Sequence, residues 1–376
     1  MKKLFSFAAA CLLCLPMCSL FAAAESASAV PSTVSAHAAI LIEAGSGDVI
    51  YEKNSHEKLP MASTTKIMTA LVALEEGDLS KTVQIAEAAC GVEGSSIYLT
   101  AGEELTLEDL LYALMLESAN DAAAAIACEI AGGIEPFAER MNRLAETIGL
   151  TESHFTNPHG LDDDAHYTTA HDLAKLTAYA LQNEQFRKIV STYRHQIPLR
   201  GDEGVRVLLN HNKLLRMSED VIGVKTGFTK HSGRCLVSAA ERDGVCVIAV
   251  TLNAPDDWRD HTFLHEIGFA QYHVEHLAEA GQFTYEIPCP TAENGSVTVT
   301  NTDSLSVCLK NGTEVTYSAE APHLQMPPVT VGDVLGRVVF TADGKILGEI
   351  PLYAQTTVGE PEDNRSFGQK IIDKFH

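Results

Sequence analysis

The sequence is short of positive charge. Its 376 residues carry 27 Lys and Arg against 50 Asp and Glu, a formal net charge of −23. Proteins that track phosphate backbones need the opposite balance, which argues against nucleic acid as a partner. Cysteine is sparse as well. Cys11, Cys14 and Cys18 fall in the first 24 residues, and Cys90, Cys128, Cys235, Cys246, Cys289 and Cys308 follow. That is too thin for a disulfide framework. Cys128, Cys235 and Cys246 sit in apolar runs and read as buried thiols, while Cys289 and Cys308 share the C-terminal region and could pair. No His-Glu-x-x-His occurs, and no long apolar run follows the one at the N-terminus.

That single run has a recognisable form. Lys2 and Lys3 precede an uncharged apolar stretch from Leu4 to Phe21, and Ala22-Ala23-Ala24 offers small residues for cleavage. The expectation is a signal peptide over 1–24 and a chain secreted across the cytoplasmic membrane, acting at the cell wall or the outer membrane face. An uncleaved anchor is the competing reading. Pro16 interrupts the segment, which is short for a span. Losing residues 1–24 removes two Lys and no acid, taking the net charge to −25.

Residues 38–53 read as two strands around a Gly-Ser-Gly turn. Helices are expected over 63–76, from Thr106 with an acid three residues on, over 119–131, 135–148 and 169–183, followed by an apolar hairpin over 235–252. Strands at both ends with helices between them imply an α+β region over 35–276, an antiparallel sheet packed by helices. Beyond Glu279 helical period fades and Val/Thr alternation with Asn-Gly and Asp-Gly turns takes over, so 279–358 is expected to be a small all-β sandwich. The tail, "SFGQKIIDKFH", spaces Phe367, Ile371 and Phe375 four residues apart, which fits either a short amphipathic helix with weak membrane association over 362–376 or a strip docked on the β region.

Two Ser-x-x-Lys pairs stand close together, Ser55 with Lys58 and Ser63 with Lys66. About one such match is expected by chance in a chain of this length. Ser55-Lys58 lies in a polar stretch ahead of Leu59-Pro60 and reads as a solvated loop. Ser63 heads a run in which Ile67, Met68, Leu71 and Val72 keep a helical period. At a helix start it has unpaired N–H groups around it, and Lys66 lies one turn away on the same face. A plain helix cap is the bland alternative. A serine hydroxyl needs an adjacent base, and lysine can serve if burial or a second cation lowers its pKa. Downstream, Lys225-Thr226-Gly227 opens a strand-like region, and Ser118-Ala119-Asn120 stands at the mouth of a small-residue helix. A hydroxyl there can relay a proton, and an amide can hold both a lysine and a substrate peptide.

Ser-x-x-Lys, Ser-x-Asn and Lys-Thr-Gly in that order resemble the penicillin-binding protein and serine β-lactamase superfamily. "ASTTKIMTAL", "SANDAA", "NPHGL" (157–161) and "KTGFT" are similar, more closely, to the low-molecular-mass D-alanyl-D-alanine carboxypeptidases. The resemblance implies a β-lactamase/transpeptidase-like fold and removal of the terminal D-Ala from peptidoglycan stem pentapeptides, with β-lactams as covalent inhibitors and no cofactor or metal. It implies Ser63 as acylated nucleophile, Lys66 as its base, Ser118 as proton relay and Asn120 as the residue positioning substrate and Lys66. Lys225 and Thr226 would bind the terminal carboxylate, and Gly227 and Phe228 would line the substrate strand. The oxyanion hole would be the N–H groups of Ser63 and Phe228. Ala119 departs from the more usual Gly or Asp, which touches substrate preference. Arg234 and Arg259 are both candidates for the carboxylate.

Three rivals remain open on sequence. A zinc site could use His261 and His265 or His273 and His276, although a polar surface helix accounts for the same spacing. A β-lactamase would share the site but deacylate fast; no Glu-x-x-Leu-Asn motif is evident. A non-enzymatic wall-binding protein would have no use for all three motifs.

Overall fold

The computed structural model describes residues 34–199 and 204–360. The expected signal peptide over 1–24 and the expected amphipathic tail over 362–376 lie outside the described residues. No described helix is long and apolar enough to cross a membrane.

The chain opens with β1 (Ala38–Glu43) and β2 (Val49–Lys53), joined by the expected turn. Then come α1 (Lys66–Glu76), the short pair β3 (Thr82–Gln84) and β4 (Glu104–Thr106), and helices α2 (Leu107–Leu116), α3 (Asn120–Ala131), α4 (Ile134–Ile148), α5 (Ala170–Ala180) and α6 (Glu184–Ser191). A hairpin of β5 (Arg194–Pro198) and β6 (Val205–Leu209) precedes β7 (Val221–Thr229), β8 (Gly233–Arg242) and β9 (Val245–Leu252). Helix α7 (Asp257–Gln271) follows, then β10 (Tyr272–Ala278), β11 (Thr284–Pro288), β12 (Ser296–Thr300), β13 (Leu305–Lys310), β14 (Thr316–Glu320), β15 (Val334–Ala342) and β16 (Lys345–Ala354).

Both chain ends of the first region build one antiparallel sheet, in the order β2-β1-β9-β8-β7. Its central strands are buried on both faces, so they read as near-continuous apolar runs. Side-chain alternation then divides them. Ala38, Ile40 and Ile42 join a core with α1 to α6, while Ala39 and Leu41 join a second core beneath α7. The sheet is a wall between two helical layers, with β2 and β7 as its two edge strands.

Local signals explain several helix starts. Thr106 accepts from the Asp109 N–H, and the Asp109 side chain accepts from the Thr106 N–H, a reciprocal capping box. Thr169 caps α5 by accepting from the Asp172 N–H, while the Asp172 carboxylate accepts from the Glu152 N–H and the Ser153 hydroxyl. Helix α4 buries Phe137, Met141 and Ala145, four residues apart. The start of α1 differs from expectation. Ser63 lies in a 3-10 turn, Ala62–Thr65, and the α-helix begins at Lys66. Ser63 therefore does not cap; the tighter turn closes the entry in place of a side chain.

The all-β region forms a five-stranded antiparallel sheet, β11-β12-β16-β15-β14, with its own core around Phe283, Val297, Val299, Phe340 and Leu352. Strand β10 pairs with β13, so β structure begins at Tyr272. His273 and His276 thus sit on a strand, not on the helix read from their spacing. Cys289 and Cys308 are both free thiols, with Cys289 inside the β core. Of the three cysteines read as buried, Cys235 is so, whereas Cys128 and Cys246 are half-buried.

Candidate functional site

The sheet edge β7 and the start of α1 meet. A side chain placed on Gly227 would come within 3.1 Å of the Ser63 nitrogen and the Met61 carbonyl, so only a residue without Cβ lets the strand pass this close. Ser63, Ser118, Thr226, Gly227 and Phe228 all line one open cleft of about 320 Å³. Phe228 stands at its rim, 65% exposed.

Lys66 sits directly under Ser63. Its Nζ lies 2.9 Å from Ser63 Oγ, 2.7 Å from Asn120 Oδ1 and 2.5 Å from the His159 carbonyl. The side chain is 0% exposed, and no carboxylate contacts it. Burial pushes its pKa well below the ordinary lysine value; the charge of Lys225 adds to this, and Asp121 opposes it. A neutral amine has two N–H groups and one lone pair. The Asn120 and His159 oxygens accept the two N–H groups, which leaves the lone pair for the Ser63 hydroxyl. Lys225, 1% exposed, donates to its own strand's Thr226 carbonyl at 2.9 Å, and burial lowers its pKa to about 7.

Ser118 and Asn120 straddle the start of α3. Ser118 has φ 59°, a left-handed backbone. The turn is held by the Ala119 N–H donating to Ala113 O at 3.2 Å and the Asn120 N–H to Ser95 O at 2.7 Å. Asn120 Nδ2 donates to Glu93 O at 2.5 Å, so its amide is fixed with the oxygen toward Lys66.

Residues 23–256 match the family model described as D-alanyl-D-alanine carboxypeptidase. The chain belongs to that family. Residues 272–360 match a second model, the C-terminal domain of penicillin-binding protein 5. The chain is similar to the D-alanyl-D-alanine carboxypeptidase DacF of Bacillus subtilis, 32% identical with 85% of each chain covered. It is also similar to DacC of Escherichia coli, 31% identical over 94% of this chain and 92% of the relative. The crystal structure of penicillin binding protein 5 from Haemophilus influenzae superposes with a TM-score of 0.65 at 29% identity, covering 88% of this chain and 99% of that one. The α+β fold with its β appendage follows the same plan, and the chain is a serine peptidase.

Several residues of the carboxypeptidase cleft carry no sequence signal of their own. The His159 carbonyl is one. "NPHGL" marks the segment, but its use appears in space. Asn157 Oδ1 accepts from the Gly160 N–H at 2.7 Å, and Thr69 Oγ1 donates to Pro158 O at 2.6 Å, which turns His159 O toward Lys66. Gly160 has φ 85°, and a Cβ there would sit 2.0 Å from Ala62 O, so the segment packs on the backbone that carries Ser63. Ser95, His211, Lys213, Asp257 and Trp258 also line the cleft. Of the two arginines, Arg234 lines it, anchored by Asp257 Oδ1 at 2.8 Å and lying over Trp258 at 5.4 Å. Arg259 is absent from the lining and faces Asp256 and Asp260.

Two sequence readings are corrected. Ser55 is buried and donates to Glu52 Oε2 at 2.8 Å, so it is not a solvated loop residue, while Lys58 lies over the Tyr167 ring. His261 and His265 are buried against the sheet, not on a polar surface. Their rings meet Ser238 Oγ at 2.6 and 2.7 Å. No group of three or more metal-ligating side chains occurs among the described residues.

Proposed function

We propose that Ser63 is the acylated nucleophile of a D-Ala-D-Ala carboxypeptidase acting on peptidoglycan stem pentapeptides, with Lys66 as its general base. The observation that carries this is the Lys66 amine, buried and 2.9 Å from Ser63 Oγ with its other two directions satisfied by carbonyl oxygens. In this reading Ser63 attacks the carbonyl of the penultimate D-Ala as Lys66 takes its proton. The tetrahedral oxyanion rests on the N–H groups of Ser63 and Phe228. Ser118 relays the proton to the departing D-Ala amine, and water then hydrolyses the ester. Asn120 orients Lys66. Thr226, Lys225 and Arg234 receive the terminal carboxylate; the cleft lining favours Arg234 over Arg259 for this contact. A β-lactam would enter the same path and leave a slow acyl-enzyme.

The division of labour belongs to the same proposal. Residues 35–276 carry the chemistry, and 279–358 form an appendage joined through β10. An extracytoplasmic location fits a wall substrate and the apolar N-terminus. Membrane association of the tail gains no support from the described helices.

Exposure to penicillin followed by intact-mass and peptide mass spectrometry tests the reading. The antibiotic's mass should appear on the peptide holding Ser63, vanish in Ser63→Ala and persist in Ser55→Ala. Nitrocefin turned over at rates typical of a β-lactamase would replace the carboxypeptidase reading with fast deacylation.

A further inference from the structure

Tyr98 is held where its side chain is ill-suited. Its φ is 60°, left-handed, and its ring is 82% exposed. Single exposed aromatics are ordinary. A bulky residue in the left-handed region is not. The conformation is imposed from below. Asp121, fully buried, accepts from Ser96 Oγ at 2.6 Å, the Ile97 N–H at 3.3 Å and the Leu99 N–H at 2.9 Å. Ile97 and Leu99 point inward, and the Tyr98 N–H donates back to Ser96 Oγ at 2.9 Å. The loop is thus pinned on both sides of Tyr98, and the ring is left facing solvent.

The same loop belongs to the cleft. Ser95 lines it, and the Ser95 and Glu93 carbonyls accept from the backbone and side chain of Asn120. Three residues of chain reach at most about 11 Å, so Tyr98 lies no farther than that from Ser95 in the cleft wall. Packing does not account for the ring, and the fold would be better served by Gly or Asn at this φ. Strain that the core gains nothing from belongs where a ligand arrives.

We propose that Tyr98 is a substrate-contacting residue whose ring takes the aliphatic C–H face of the substrate upstream of the D-Ala-D-Ala unit. This deepens the carboxypeptidase reading and rests on it. The shared chemistry is a flat C–H surface on an aromatic face, offered by the methylenes of the stem peptide or by the sugar it is attached to. A minimal acylated D-Ala-D-Ala substrate is too short to reach it.

The test measures D-Ala release from three substrates: a short diacylated tripeptide ending in D-Ala-D-Ala, a free stem pentapeptide and a muramyl pentapeptide. Wild type, Tyr98→Asn and Tyr98→Phe are compared, with Tm alongside. Tyr98→Asn should keep kcat/KM on the tripeptide within twofold and lose about tenfold on a longer substrate, through KM. Tyr98→Phe should keep most of it. Tm of Tyr98→Asn should be unchanged or higher, because the strained φ is relieved. A loss shared by both long substrates assigns the ring to the peptide, and a loss confined to the muramyl form assigns it to the sugar. Equal losses on all three substrates, a fall in Tm, or no difference anywhere would overturn the assignment. Wild-type protein releasing D-Ala from none of them would bring down the carboxypeptidase reading, and the Tyr98 assignment with it.

Discussion

Two serines on opposite faces of one sheet each have a nitrogen base within hydrogen-bond distance. On the α1 side, Ser63 Oγ is 2.9 Å from Lys66 Nζ. On the α7 side, Ser238 Oγ is 2.6 Å from His261 Nδ1 and 2.7 Å from His265 Nε2. Distance alone would choose Ser238. Access chooses Ser63, which lines an open cleft, while Ser238 is fully buried. The surroundings differ as well. Burial and the charge of Lys225 lower the pKa of the lysine beside Ser63, against the opposing charge of Asp121. The histidines at Ser238 are linked onward, His261 Nε2 to Thr251 Oγ1 at 2.9 Å, and form a closed polar knot in the second core. One cluster opens onto a cleft, as the proposed chemistry requires, and the other has its polar groups satisfied internally. A serine beside a base is therefore not yet a nucleophile; it also needs room for a substrate and donors for the charge that develops.

The sharpest way to break this contrast is to remove each hydroxyl. Ser63→Ala should abolish penicillin labelling and lower D-Ala release by at least about 10⁴-fold. Ser238→Ala should label fully. A penicillin adduct on Ser238, or labelling that survives Ser63→Ala, would reverse the two roles.

Replacing the base is next. Lys66→Arg should cost on the order of 10³-fold in acylation, because guanidinium keeps its proton and cannot accept one from Ser63. Stopped-flow acylation would measure it, and near-normal rates would remove Lys66 from the role of base.

Gly160→Ala tests the support beneath the reactive side. The new Cβ would meet Ala62 O at 2.0 Å from a left-handed φ, and the fold should lose about 3 kcal/mol or more by denaturant melts. An unchanged midpoint would show that the "NPHGL" segment can move away from Ser63.

Acid should separate the two faces more gently. Burial holds the His265 pKa down to about 4, and burial together with the charge of His265 pushes His261 well below its ordinary value. Between about 4 and the ordinary value of 6.5 the unfolded chain binds more protons, so stability is present above 6.5 and declines as pH falls. For His265 alone the loss approaches about 3 kcal/mol. His166, held near 4, and His159, near 3, add in the same direction from the cleft side. Removing the Ser238 hydroxyl at neutral pH should cost about 1–3 kcal/mol, because it strands buried ring nitrogens. A Tm flat from pH 7 to pH 4.5 would mean the knot opens to water.

Much of this could be read before any coordinates. The capping box at Thr106, the four-residue spacing in α4 and the apolar hairpin over 235–252 are local signals, set by backbone donors and side-chain period. The three short motifs mark the residues to which the proposed chemistry is assigned, because acyl transfer needs such side chains. The failures have one character. The spacing of His261 and His265 is the same whether the helix faces solvent or a sheet, and the helix alone does not say which. His273 and His276 were assigned to a helix, but β10 is made a strand by its partner β13, about thirty residues on. Ser55 read as solvated because its neighbours are polar, yet Glu52 and the chain folding over it bury it.

The sequence by itself determined which side chains exist to do the chemistry and the local turns that hold them, because caps, periods and glycine positions act over a few residues. Tertiary structure decided that Lys66 and Lys225 are both taken out of water, which arginine enters the cleft, and that a backbone carbonyl at residue 159 faces the Lys66 amine. Those depend on desolvation and on approach between distant segments, as from Lys66 to Asn120 and to Lys225, 54 and 159 residues along the chain. Burial and long-range contact leave no mark on the order of residues alone.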